Sequence, residues 1–187
     1  PRHKKAVTAL DFNFKGNLLV SSSKDGKLII WDWGTRKQRF EIDIKDPVTD
    51  VSIHPVRHEI AVATAGGSLE TWSLSEGTQL HIINKSEHAL ISLGYDSHGQ
   101  RIITSLEDGT VQIWEYGTSL FKKKFRGHER SVETLDFSND SKFLISSSAD
   151  KTVRIWKVDS KNSSRVIDIG SHRVQDARFA PDSKSFA

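Results

Sequence analysis

Apolar and polar residues alternate with a period of two through most of the chain, and Gly, Asp, Asn and Ser interrupt the alternation at short intervals. That pattern predicts short antiparallel strands rather than helices. The segments "VTALDF", "VTDVSI", "LISLGY" and "VETLDF" read as one kind of strand, with "VQDARF" as a fifth copy. A second kind follows, "NLLVSSS", "EIAVATA", "QRIITSL" and "KFLISSS", and then a third, "KLIIWDW", "SLETWSL", "TVQIWEY" and "TVRIWKV". The fourth is more polar: "KQRFEID", "TQLHIIN", "SLFKKKF" and "SRVIDI". Between second and third strands stand "KDG", "AGG", "EDG" and "ADK". Gly and Asp suit tight hairpin loops because they tolerate positive φ.

The four kinds of strand recur in a fixed order, so the chain is a repeat. Trp31, Trp72, Trp114 and Trp156 are separated by 41, 42 and 42 residues, and each follows an aliphatic residue (Val7, Val48, Leu90, Val132) by 24 positions. A fifth unit opens at Val174 and runs out before its tryptophan. The units span about 3–43, 46–84, 88–125 and 128–169, with a partial one at about 172–187. No single four-stranded unit can hide its apolar faces, so neighbouring units must stack. Radial stacking does so while leaving only short edges exposed.

Composition adds exclusions. The 187 residues, 36% of them hydrophobic, suffice for a core, and 27 Lys+Arg against 24 Asp+Glu leave a mild net charge of +3 that permits nucleic acid without requiring it. There is no cysteine, which excludes disulfides, thiolate chemistry and Cys-based zinc sites. No apolar run is long enough to span a bilayer and no secretory leader stands at the N-terminus, so the expected setting is cytoplasmic or nuclear, without a membrane partner. The absence of methionine and the interrupted fifth unit lead us to expect a piece of a longer protein.

The units resemble WD-repeat β-propeller blades. The residues that carry the resemblance are Gly127-His128, "SSSADKTVRIW" at 146–156, "SSSKDGKLIIWD" at 21–32, and the tryptophan spacing. The resemblance implies an all-β propeller of four four-stranded blades plus the start of a fifth, within a ring of about seven blades. It also implies a structural tetrad in which His, Ser or Thr, Asp and Trp satisfy one another: His3, Ser21, Asp25 and Trp31 in the first unit, His128, Ser146, Asp150 and Trp156 in the fourth. In the third unit Thr104, Asp108 and Trp114 remain, with Ser86 at the histidine position. In the second, Ile44, Val62 and Gly66 replace His, Ser and Asp. That blade is expected to be held by apolar packing alone, or to be a divergent surface shaped for a partner.

The same Ser, His and Asp could be read as a hydrolase triad, but one active site needs no second copy with a tryptophan at the same offset. "SSSK" matches a Ser-x-x-Lys acylase motif without its further elements. His54 and His58 lie four apart, yet Pro55 and the repeat register put them in a turn with no third ligand, so no metal is expected. The glycines fall mainly at turns and form no phosphate-binding pattern. We therefore expect no enzyme, no cofactor and no small-molecule substrate.

Two surfaces are candidates for partners. Lys122, Lys123, Lys124 and Arg126 in "FKKKFR" form a possible nucleic-acid contact on an outer strand, where lysines also serve to prevent edge pairing. The resemblance implies a second surface around the central channel, where loops before the first strands meet the turns after the second. Its positions are Ala6, Thr8 and Lys24, then Pro47, Thr49 and Ala65, then Ala89, Ile91 and Glu107, then Ser131, Glu133 and Ala149, and finally Arg173 and Gln175. Ile91 and Ala89 could form a small apolar anchor, or could pack beneath a neighbouring blade. "WDWG" places Gly34 where the WD-x-R variant of cullin-ligase adaptors has arginine. The expected function is a non-enzymatic protein-interaction scaffold in a multi-subunit complex, with an RNA-contacting subunit as the alternative.

Overall fold

The computed structural model describes residues 2–118, 120–160, 164–170 and 174–187, which hold sixteen strands and no helix. The first sheet contains β1 (Val7–Phe12), β2 (Leu18–Ser23), β3 (Lys27–Asp32) and β4 (Lys37–Asp43). The second contains β5 (Val48–Ile53), β6 (Glu59–Thr64), β7 (Ser68–Ser73) and β8 (Gln79–Lys85). The third contains β9 (Leu90–Tyr95), β10 (Arg101–Leu106), β11 (Val111–Glu115) and β12 (Leu120–Phe125). The fourth contains β13 (Val132–Phe137), β14 (Phe143–Ser148), β15 (Thr152–Lys157) and β16 (Ser164–Asp168). In each, the strands lie side by side in chain order. This is the all-β arrangement expected from the period of two, in the four four-stranded blades that the resemblance implies.

The chain divides into two compact units, 1–90 and 91–187, the boundary falling at the first residue of β9. In the first unit, Leu18, Val20, Leu28 and Ile30 of blade 1 share a buried cluster with Val48, Val51, Ile53 and Ile60 of blade 2. In the second, Ile103, Val111, Ile113 and Phe125 of blade 3 cluster with Val132, Leu135, Phe137, Leu144 and Trp156 of blade 4. Each fully buried aliphatic side chain contributes about 1.5–3 kcal/mol. The second strand of every blade is buried along nearly its whole length.

First strands carry a repeated irregularity. The register slips between Val7 and Ala9, between Val48 and Asp50, and between Val132 and Thr134. Thr8, Thr49 and Glu133 are therefore the extra residues of β-bulges, a device that re-aims a side chain at a sheet rim. The second-to-third-strand turns also share a backbone: Gly26, Gly67, Gly109 and Lys151 all have positive φ. A Cβ on Gly109 would stand 2.6 Å from the carbonyl oxygen of His128. Glycine is required there because the next blade's leading loop passes so close.

Two departures from expectation appear. "VQDARF" does not form a strand: only Phe179 makes a bridge, to Phe186. It is held alongside β13 by Ala177 N–H donating to Thr134 Oγ1 (3.2 Å) and Phe179 N–H donating to Asp136 Oδ2 (2.8 Å). On blade 1, Val7, Leu10, Phe12, Phe14 and Trp33 are exposed, although Val48, Val51 and Ile53 in blade 2, and Val132, Leu135 and Phe137 in blade 4, are buried at the positions of Val7, Leu10 and Phe12.

Candidate functional site

The polar residues singled out by the repeat converge within each blade. In blade 4, Trp156 Nε1–H donates to Ser146 Oγ (2.8 Å), Ser146 Oγ lies 2.8 Å from His128 Nε2, and His128 Nδ1 lies 2.8 Å from Asp150 Oδ2. An ionised aspartate only accepts, so Nδ1 carries the proton, Nε2 accepts from the serine, and the serine oxygen accepts from the indole. Asp150 also accepts from Glu129 N–H, Thr152 N–H and the Thr152 hydroxyl. Burial pushes the Asp150 carboxyl up, but the Thr152 and His128 side chains and these backbone donors outweigh it and hold it well below the usual carboxylate range. Burial lowers the His128 pKa despite the opposing hydrogen bond and charge of Asp150, so the imidazole is kept neutral. A Cβ at Gly127 would meet Arg154 Nη1 at 2.6 Å and Trp156 Cη2 at 3.2 Å, so a larger residue would have to displace the end of the Arg154 side chain.

Blade 1 repeats the arrangement. Trp31 Nε1–H donates to Ser21 Oγ (2.9 Å), His3 Nε2 lies 2.8 Å from Ser21 Oγ, and His3 Nδ1 lies 3.3 Å from Asp25. Burial raises the Asp25 carboxyl, but backbone donors from Lys4 and Lys27 and the side chains of Ser23 and His3 bring it below its ordinary value. In blade 3, Trp114 Nε1–H donates to Thr104 Oγ1 (3.1 Å), while Asp108 accepts from the Thr110 hydroxyl and N–H. Ser86 Oγ accepts locally from His88 N–H.

The Ser–His–Asp order is that of a hydrolase, but access is not. Ser146 is fully buried and Ser21 nearly so, and each serine oxygen already receives an indole N–H. A substrate carbonyl cannot approach either Oγ.

Blade 2 corrects the expectation of apolar packing alone. Ile44 and Val62 are indeed buried, but Trp72 Nε1–H donates to Glu70 Oε2 (3.0 Å), which also accepts from Gln79 Nε2 (2.8 Å). The missing aspartate is replaced from outside the turn: Asp46 Oδ2 accepts from Gly66 N–H at 2.9 Å. It fills the space a side chain at 66 would take, since a Cβ there would lie 2.3 Å from that oxygen.

At the predicted partner face, loop and turn are bonded as neighbours in three blades: Lys24 N–H to Ala6 O (3.0 Å), Ala65 N–H to Pro47 O (2.9 Å) and Ala149 N–H to Ser131 O (2.9 Å). Ala6, Lys24, Pro47, Ala65, Glu107 and Gln175 are exposed, while Thr8, Thr49, Ala89, Ile91, Ser131, Glu133 and Ala149 are half-buried. Ile91 is thus partly covered. Arg173 lies outside the described residues. Thr8 is a fastener as well as a rim residue: its hydroxyl meets Ser22 Oγ (2.9 Å) and donates to Val48 O of blade 2 (3.0 Å).

Residues that the repeat did not single out make similar links. Asp11 Oδ2 accepts from Ile53 N–H (2.6 Å) in blade 2, as Asp136 accepts from Phe179 N–H, and Ser105 Oγ donates to Val132 O (3.0 Å). The signal for the two aspartates was present as "LDF" at one offset in the first and fourth units.

The basic run is less of a patch than its sequence suggests. On β12, Lys123 turns toward blade 4, where Nζ donates to Val158 O (2.6 Å) and to Ser160 O, and lies 4.6 Å from the Phe125 ring centroid. Burial lowers its pKa. Lys122 stands 3.8 Å from Glu115, Lys124 is half-buried, and Arg126 is exposed. His54 is buried, and its Nδ1 accepts from Val56 and Arg57 N–H. Among the described residues, no three His, Cys, Asp or Glu side chains gather as a metal site.

Four-strand meanders, fastened internally by His, Ser or Thr, Asp and Trp, define a β-propeller repeat protein. The sequence profile of the WD domain, G-beta repeat, matches residues 1–32, 77–115 and 119–157, more than half of the chain, and the protein belongs to the WD-repeat family. The interval 33–76, outside those matches, includes most of the blade with the substituted clamp. Similar proteins include the target of rapamycin complex subunit wat1 of Schizosaccharomyces pombe, 30% identical over 68% of this chain and 43% of that protein. Small ribosomal subunit protein RACK1 of Candida albicans is 26% identical over 62% of this chain and 39% of that protein. Pre-mRNA-processing factor 17 of Saccharomyces cerevisiae is 28% identical over 60% of this chain and 26% of that protein. The chain therefore spans less than half the length of these relatives.

Proposed function

We propose that the chain is a non-enzymatic protein-interaction scaffold of a multi-subunit assembly, offering the rim where each leading loop meets its turn. The observation that carries this reading is that the repeated Ser, His, Asp and Trp bond to one another in the interior, whereas the adjoining pairs Ala6 and Lys24, Pro47 and Ala65, Ser131 and Ala149 form a recurring rim. Repeat folds use such serial surfaces for binding. Relatives named as a complex subunit, a ribosomal subunit protein and a pre-mRNA-processing factor support the assembly role and a cytoplasmic or nuclear setting.

The test compares complexes recovered with the wild type, with a rim variant (Ala65→Arg plus Ala149→Arg) and with an outer-strand variant (Lys122→Glu plus Lys124→Glu). The rim variant should melt normally and lose stoichiometric protein partners, and the outer-strand variant should keep them. Retention of every partner by the rim variant contradicts the reading. RNA crosslinking abolished by the outer-strand variant alone would move the function to β12.

A further inference from the structure

We infer that the rim of blade 1, with the loop leading into blade 2, is a docking surface for an acidic peptide segment of a protein partner; this rests on the scaffold reading above. Four lysines, Lys4, Lys5, Lys24 and Lys45, converge on the turn at 24–26. Their backbones are pinned there. Lys4 N–H donates to Asp25 Oδ2 (2.6 Å), Ser23 Oγ donates to Lys5 O (3.2 Å), and Lys24 N–H donates to Ala6 O (3.0 Å). Lys45 passes against the same turn, its carbonyl carbon 3.5 Å from where a Cβ on Gly26 would lie.

The side chains contrast with this fixed backbone. All four lysines are exposed, and none forms an ion pair among the described residues. The acids nearby are engaged elsewhere: Asp25 with His3 and the N–H groups of Lys4 and Lys27, Asp46 with Gly66 N–H, and Glu41 with Lys27. Asp43 accepts from Lys45 N–H. Hydrogen bonds to N–H groups leave Asp25, Asp43 and Asp46 charged, but none of them pairs with a lysine side chain of the cluster, so four unpaired ammonium groups on a rigid base face anionic partners.

The sign of this charge is particular to the first two blades. The residue after the histidine position is Lys4, Lys45, Glu87 and Glu129 in successive units, and the first residue of the turn is Lys24, Ala65, Glu107 and Ala149. The repeat fold therefore does not demand lysine at either place. Lys45 also sits at φ 66°, in the left-handed region where Gly or Asn would be less strained.

Carboxylates are the better match for this cluster than a nucleic-acid strand. The lysines present compact point charges, and the residues between them, Ala6, Asp25, Gly26 and Asp46, supply no aromatic platform on which bases could stack.

The experiment uses the full chain and fluorescence anisotropy with a labelled octapeptide of Glu and Asp, its Gln and Asn counterpart, and a ten-nucleotide RNA. The triple variant Lys4→Ser, Lys24→Ser, Lys45→Gly should bind the acidic peptide at least tenfold more weakly, with a shallower salt dependence and a melting temperature equal to or above wild type. The outer-strand pair Lys122→Ser, Lys124→Ser should bind as wild type. Equal binding of the neutral peptide, tighter binding of the RNA, or undiminished binding by the triple variant would overturn the inference. If those results appear while Ala65→Arg plus Ala149→Arg still sheds partners, the scaffold reading stands and this site alone is refuted.

Discussion

Replacing Ser146 by alanine removes one oxygen that serves two bonds, and the structure sets the size of the effect. The indole N–H of Trp156 and Nε2 of His128 each lose a partner at 2.8 Å, and no water reaches that position because Ser146 and Trp156 are buried. Each hydrogen bond is worth about 1 kcal/mol net, and a buried group left unpaired costs about 1–3 kcal/mol, so a loss of about 2–4 kcal/mol is expected. Ser21→Ala should cost less, about 1–2 kcal/mol, because Trp31 is only half-buried and its indole recovers some hydration. Urea unfolding of the full chain, followed by tryptophan fluorescence, measures both. Losses below about 0.5 kcal/mol for Ser146→Ala, or equal losses at both serines, would refute the idea that these residues are internal fasteners graded by burial.

Further outcomes follow from the same geometry. Leu10 and Leu135 hold one repeat position but are 62% and 1% exposed, so Leu135→Ser should destabilise by about 3 kcal/mol, while Leu10→Ser should leave stability nearly unchanged and reduce self-association in light scattering. Glu70→Ala should destabilise blade 2 by about 1–2 kcal/mol, because Trp72 Nε1–H and Gln79 lose their acceptor; unaltered urea unfolding would restore the apolar-packing account. Acid should weaken the fold in two stages. His128, whose pKa is depressed by burial, contributes stability that is lost as pH falls from about 6.5 through its folded value, and Asp150 contributes stability that is lost below about 3.8. His128→Gln should remove the first stage from a stability-versus-pH curve and leave the second; an unchanged first stage would contradict the assignment.

Relations inside one repeat were legible in the sequence, and relations between repeats were not. Period-two alternation placed the four strands of each blade, and the resemblance to WD-repeat blades anticipated bonds such as Trp156 to Ser146 and Trp114 to Thr104. Blade 2 escaped because its substitutes come from other positions: Glu70 lies within the third strand, and Asp46 reaches Gly66 from 20 residues away. The bonds from Asp11 to Ile53 and from Asp136 to Phe179 cross 42 and 43 residues, so only stacking reveals them. In the sequence Lys123 reads as surface charge, because a polar outer strand looks the same whether its side chains meet solvent or the carbonyls of a neighbouring blade.

Hydrogen exchange at the five indole N–H groups, resolved by NMR on the full chain, tests the central claim most directly. Trp31, Trp72, Trp114 and Trp156 donate to Ser21, Glu70, Thr104 and Ser146, and should exchange slowly. Trp33, which is exposed, should exchange quickly. Rapid exchange at all five, or protection of Trp33 alone, would show that the repeated polar residues do not fasten the blades.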